Sequence, residues 1–189
     1  EGGFGVAVDT TINTNGGDLW IGGGALTGEW RGHTVGAGAA MGGGGANQIG
    51  AEFNAANIIT DGGYVRIVGT SATSSGVSAY KNDSTIDVGS GDIELITHRV
   101  HFDHNALGEQ LTLSGTGNLS IMPFGTSFTH NVTWDSTKAS GYYSSTGGID
   151  TFDGLRMQDT LGLTIGKAGN DIPLTISRDI SIAGQISVY

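Results

Sequence analysis

The densest group of ionisable side chains is His98-Arg99-Val100-His101-Phe102-Asp103-His104. If the strand beginning at Asp92 continues, Val100 and Phe102 point inward and His101 and Asp103 share the outer face. Such a pair supplies two zinc ligands, whereas a site needs three or four at fixed geometry. The His-x-x-His spacing also lacks the helix that gives such motifs meaning. The reading favoured here is a polar outer edge running into a turn. Calcium is the second chemistry to weigh, through repeated Gly-Gly-x-Gly-x-Asp units. Gly42-Gly43-Gly44-Gly45-Ala46-Asn47 lacks the aspartate, and Tyr64 stands between Asp18 and Asp92 at the equivalent repeat position. That breaks any aspartate ladder and leaves room only for an isolated Ca2+ site built from turn carboxylates and carbonyls.

Hydrolysis of a glycoside requires two carboxylates at controlled separation in a cleft. Asp87, Asp92 and Glu94 instead read as outward strand or turn residues, and no Gly-x-Ser-x-Gly nucleophile elbow occurs. The expectation is a protein that is no enzyme and carries no cofactor. Trp30, Trp134, Tyr142 and Tyr143 are the exposed aromatic candidates for contacting a ligand, although the reading favoured over ligand contact is that these side chains cover coil edges. The other function class kept open is a carbohydrate-active enzyme or lectin, which convergent carboxylates beside aromatics would favour.

Composition narrows the elements that must position these groups. The 189 residues include 35 glycines, 2 prolines and no cysteine. The glycine follows no Gly-X-Y period, which excludes collagen. Hydrophobic residues are 37% and charged residues 14%, the reverse of a disordered chain. Glycine is therefore read as turn and close-approach positions. Net charge is −10, and the 8 Lys and Arg are scattered, so there is no basic stripe for nucleic acid. An anionic membrane surface would repel the chain, and no apolar stretch is long enough for a helical span. Glu1 in place of a methionine, and a last run that stops in mid-pattern, read as part of a longer chain.

A repeat underlies the sequence. Ile12-Asn-Thr-Asn-Gly-Gly-Asp-Leu-Trp-Ile21 returns at Ile58–Ile67 and Ile86–Leu95, with a looser copy over Leu113–Ile121. Each copy runs from an apolar residue through a glycine turn into an apolar–polar–apolar strand. Aligning Leu19, Val65 and Ile93 gives offsets of 46 and 28, the first read as two turns of about 23 residues. Period-2 alternation covers most other ordered-looking segments, and no 3.6-residue stripe competes. The chain is all-β. Repetition and the scarcity of Asn-Gly or Asp-Gly hairpins favour a parallel β-helix (β-solenoid) with loop excursions over a sandwich or barrel. Residues 1–189 are read as one segment, with 22–57 and 126–160 as irregular or excursion-bearing coils. Leu19, Ile21, Val65, Ile67, Ile93, Leu95, Leu119, Ile121, Leu163, Ile165, Leu174 and Ile176 are expected to line the interior.

The runs TNGGDLWIGGG, TDGGYVRIVGT, GSGDIELIT, LTLSGTGNLSIMPFG, LGLTIGKAGNDIPLTI and DISIAGQISVY resemble repeat segments of filamentous-haemagglutinin-type bacterial exoproteins. The resemblance touches most of the chain in short pieces. It implies a right-handed parallel β-helix and a secreted, cell-surface home. It also implies a structural or adhesive role in adhesion, biofilm or matrix, and supplies no catalytic residues. Expected partners are neighbouring coils of the same long chain or end-to-end copies, together with host or matrix carbohydrate or protein. Nucleic acid and membrane insertion are not expected.

Overall fold

The computed structural model describes residues 3–43, 48–79, 82–102, 111–134, 149–151, 155–159, 162–177 and 179–189. Among them there are strands and turns and no α-helix. Three parallel sheets carry the architecture. The first contains β1 (Val6–Val8), β7 (Ala51–Phe53), β10 (Val77–Ala79), β13 (Val100–Phe102), β17 (Ile149–Thr151), β16 (Asn131–Trp134) and β20 (Leu174–Ile176), in that spatial order. The second stacks β2 (Thr11–Asn13), β8 (Asn57–Ile59), β11 (Ser84–Asp87), β14 (Leu111–Ser114) and β18 (Leu155–Gln158). The third stacks β3 (Leu19–Ile21), β9 (Val65–Thr70), β12 (Ile93–Thr97), β15 (Asn118–Met122), β19 (Gly162–Ile165) and β21 (Ile186–Val188). From β1 to β15 the chain visits the first, second and third sheets in rotation, an excursion after β3 aside, and each round adds one strand to each.

Alternation dictates what these strands bury. In the third sheet Leu19, Val65, Ile93, Leu119, Leu163 and Ile186 stand in one register column, and Ile21, Ile67, Leu95, Ile121, Ile165 and Val188 in the next. The second sheet answers with Ile12, Ile58, Ile86, Leu113 and Met157. The first adds Val8, Phe53, Ala79 and Phe102. Ile58, Ile67, Ile86, Leu95, Leu113 and Ile121 are fully enclosed, each worth about 1.5–3 kcal/mol relative to exposure. A one-residue slip would turn every one of them outward, so the pattern itself fixes the register.

Between the second and third sheets the chain turns on a column of glycines. A Cβ placed on Gly63 would lie 2.0 Å from the Gly17 carbonyl oxygen, one on Gly91 2.0 Å from that of Gly63, and one on Gly117 1.8 Å from that of Gly91. Successive turns therefore stack backbone on backbone, with no room for any side chain. Within them, Gly17 N–H donates to the Thr14 carbonyl and Gly63 N–H to that of Thr60.

Two sequence expectations need correction. Leu19 pairs directly with Val65, so the 46-residue offset is one round with an excursion inside it rather than two turns. The excursion contains an antiparallel hairpin, β4 (Gly23–Trp30) and β5 (His33–Gly38), followed by β6 (Ala40–Met41), which joins β9. Ile176, expected inside, is 38% exposed because β20 is the outermost strand of its sheet. Leu174 packs partly against the core, while the other ten expected interior residues are buried or, for Leu19, half-buried against it.

One strand is out of sequence order. After β15 the chain reaches the first sheet at β16, and β17, later in sequence, lies between β13 and β16. Val132 then pairs with Leu174 and Trp134 with Ile176. In the third sheet, by contrast, β19 and β21 are direct neighbours. The last round is thus hinged at the third sheet and held one strand away at the first.

Candidate functional site

The side chains with the most chemistry collect on the outer face of the third sheet, beneath the hairpin. Alternation puts Trp20, Arg66 and Glu94 outward in one register row. The hairpin then brings Trp30 back to Trp20, with ring centroids 5.6 Å apart and planes tilted by 49°. Arg66 lies over both rings, at 5.8 and 5.4 Å, and its Nε–H donates to the Glu94 carboxylate. At the hairpin tip, Arg31 and Gly32 carry φ of 49° and 80°. Two consecutive left-handed residues make a two-residue loop of the twist that closes hairpins tightly. The tip sets the Arg31 guanidinium 3.4 Å from the Tyr64 ring centroid and its Nε–H 2.6 Å from Asp18 Oδ2.

Asp18 is held twice, because its Oδ1 also accepts the Tyr64 N–H at 2.9 Å. Partial burial opposes its ionisation, yet the Tyr64 N–H and the Arg31 guanidinium outweigh this and hold the carboxyl below its ordinary value, with His33 adding to the effect. Asp92 does the equivalent work further along, accepting the Asn118 N–H at 2.8 Å. The two aspartates considered for calcium are each bound to the backbone at the start of a strand in the next round. Asp87 accepts the Gly89 N–H at 3.0 Å, on a different sheet from Glu94. Asp87, Asp92 and Glu94, weighed as paired acids, are thus separately engaged rather than converging. Every charge in the cluster has an opposite charge or a ring against it, which is the chemistry of a clasp.

The expected exposure of Trp30 and Trp134 is corrected: they are 7% and 2% exposed. Trp30 is covered by folding back on Trp20, and Trp134 lies in β16 between two other strands. Tyr142 and Tyr143 lie outside the described residues, as do Asp103, His104 and the run 44–47.

The histidine run divides differently from its sequence reading. β12 stops at Thr97 in the third sheet and β13 starts at Val100 in the first, so His98 and Arg99 turn a corner instead of continuing a strand. Val100 and Phe102 do point inward, at 1% and 0% exposure. Burial is the main influence on the His98 ring, pushing its pKa down, helped by Arg99 and His130 and opposed by a hydrogen bond to the Ser71 backbone. Its Nδ1 is enclosed without a hydrogen-bond partner among the described residues. Burial and Arg99 likewise lower His130, whose Nδ1 lies 2.9 Å from Thr129 Oγ1. Among the described residues no three His, Asp or Glu side chains are grouped to hold a metal ion.

What sequence reasoning missed was the clasp. Its signal was the spacing of Asp18, Trp20, Trp30 and Arg31 around a glycine-rich run, legible only once that run is known to double back. Compared with family models, curated proteins and solved structures, the chain finds no match in any of the three.

Proposed function

We propose that the three sheets are faces of a right-handed parallel β-helix, and that the chain is a structural segment of a secreted bacterial surface protein. In this reading it forms part of a rigid stalk or fibre serving adhesion, biofilm or matrix, and it needs neither catalysis nor a cofactor. The observation that carries the reading is the third-sheet column Leu19–Val65–Ile93–Leu119–Leu163–Ile186, six strands in one register. Such a column buries apolar area only by stacking, so its natural product is length. The right hand follows from the general preference of parallel crossover connections. The resemblance to filamentous-haemagglutinin-type exoproteins supports the surface home and the adhesive role. Partners in this reading are flanking coils or end-to-end copies, and a host or matrix carbohydrate or protein.

Small-angle X-ray scattering tests the shape: a rod of constant cross-section is expected, and the profile of a sphere would overturn it. Antibodies raised against the chain should label intact source cells, and labelling only after lysis would overturn the surface location. Beads coated with the chain should be retained on matrix, and retention no better than bare beads would remove the adhesive role.

A further inference from the structure

We propose that the β4–β5 hairpin is an exchange arm, traded between two copies of this chain lying side by side, each tip seated in the other's clasp. The tip is held to the third sheet by side chains. Among the described residues β4 and β5 pair only with each other. What holds them down is Trp30 against Trp20 and Arg66, and Arg31 against Tyr64 and Asp18. The backbone leaves and returns at one place, where Gly23 pairs with Gly38, and β6 then rejoins β9. The arm can therefore lift without moving a strand of the stack.

Its root is built to turn. Gly22, Gly23 and Gly24 lead out, Gly36 and Gly38 lead back, and Gly24 sits at φ 97°, a region open to glycine at little cost. Between the pairs Gly23–Gly38 and Thr27–Gly36, the residues Gly24, Ala25 and Leu26 stand opposite Ala37 alone, so the ladder is broken just above the root. From Gly24 to Trp30 an extended strand spans up to roughly 20 Å, which carries the tip clear of its own sheet.

The occupant is a second copy because the seat already specifies what it takes. It holds an indole followed by a guanidinium at a hairpin tip, against Trp20, Arg66, Tyr64 and Asp18. An identical chain presents the identical tip, so exchange gives up none of these contacts, which is the ground of domain swapping. It also adds one. Leu26 at 78% and Met41 at 69% are the most exposed large apolar side chains among the described residues, and both lie on this excursion. Two roots brought together set these side chains against each other, an apolar contact that the lone chain lacks. A tip on a short tether meets its own seat at an effective concentration of about millimolar, so exchange prevails where copies are packed that densely. The inference goes beyond the stalk reading: end-to-end copies lengthen a column, whereas exchanged arms join two columns sideways.

The test uses the whole chain. Light scattering over a concentration series reaching about 1 mM should show monomer passing into dimer. In a mixture of differently isotope-labelled chains, filtered NMR should then place Trp20 of one chain against Trp30 of the other. Leu26→Ser should weaken the dimer about fivefold or more. Asp18→Arg and Arg31→Asp each repel their own tip, so on mixing they should pair about tenfold or more tighter than either does with itself. If Asp18→Arg does not fold, the isotope experiment on the unaltered chain decides the matter. A chain that stays monomeric throughout the series would overturn the proposal, as would a Leu26→Ser variant that dimerises unchanged. So would a dimer whose Trp20–Trp30 contacts all remain within one chain, since the association would then lie at the ends of the column. None of these results alters the rod expected of the single chain in dilute scattering, so the arm and the stalk fail separately.

Discussion

The chain leaves its three-sheet rotation twice, and the two departures have opposite effects on the stack. The first, after β3, lays a hairpin on the outside of the third sheet and returns with the register untouched: Leu19 still pairs with Val65. The second, after β15, puts β16 into the first sheet itself, and the following round is displaced by a strand. Both are anchored by a buried tryptophan, Trp30 in one and Trp134 in the other. The difference lies in what each anchor holds. Trp30 rests on side chains, Trp20 and Arg66, so its hairpin is an attachment. Trp134 sits in a strand whose hydrogen bonds support β20, so its segment is a structural layer. An insertion is cheap when it uses a sheet's face and consequential when it uses a sheet's edge.

The comparison breaks most readily at the tryptophans. Trp134→Ala should destabilise the chain by about 3–5 kcal/mol in urea unfolding, the range for a large buried aromatic. Trp30→Ala should cost only about 1 kcal/mol in the same transition. Hydrogen exchange should then show β4 and β5 opening while β9 and β12 stay protected. Equal costs for the two variants would mean that the hairpin is as integral as β16.

A milder break is available in the glycine column. Gly91→Ala forces a Cβ to within 2.0 Å of the Gly63 carbonyl oxygen, whereas at Gly17 the nearest atom would be 3.3 Å away. The first variant should lose about 2–3 kcal/mol and the second under about 1 kcal/mol, measured by thermal or urea unfolding. A benign Gly91→Ala would show that the turns can spread, and that the stack is less closely bound than the hairpin it carries.

The smallest effect concerns the corner at His98, between the two departures. Burial lowers its folded pKa below the unfolded value of about 6.5. A group depressed in this sense costs nothing at pH 8. It begins to destabilise the fold as pH falls below about 6.5, and the loss levels off once pH passes its folded pKa. His98→Asn should flatten that part of the stability–pH curve between pH 7 and 5. An unchanged slope would place the titration elsewhere, His130 being the nearest alternative.

Much of this stack could be read in the sequence because its logic is local. Alternation marked Val65/Ile67, Ile93/Leu95 and Leu119/Ile121 as one-faced pairs, and their shared glycine turns placed them in a common column. The misreading of 46 residues as two turns has a physical cause: a repeat period counts residues, and an excursion adds residues without adding a layer. The hairpin escaped notice because its turn is Arg31-Gly32. Arginine in a left-handed position carries none of the signal of asparagine, and is held there by Asp18 and Tyr64, distant in sequence. The tryptophans were misjudged for the same reason, since their cover comes from segments that fold back. Val132 and Trp134 alternate as a strand should, but alternation says nothing about which layer a strand will occupy.

That last point bears on how the chain assembles as it is made. From β7 to β15 each new strand finds its template already in place, so growth can follow synthesis. β16 emerges before β17, the strand it must rest on, and β17 in turn has β13 waiting for it. The order of emergence and the order of docking therefore part company there. Assembly should pause with β16 unplaced until residues 149–151 arrive, then settle two layers at once. Unravelling from the other end meets the same backstitch in reverse: with β20 peeled away, β17 still cannot leave until β16 lets go. A stack that is otherwise last on, first off acquires at this one point a catch.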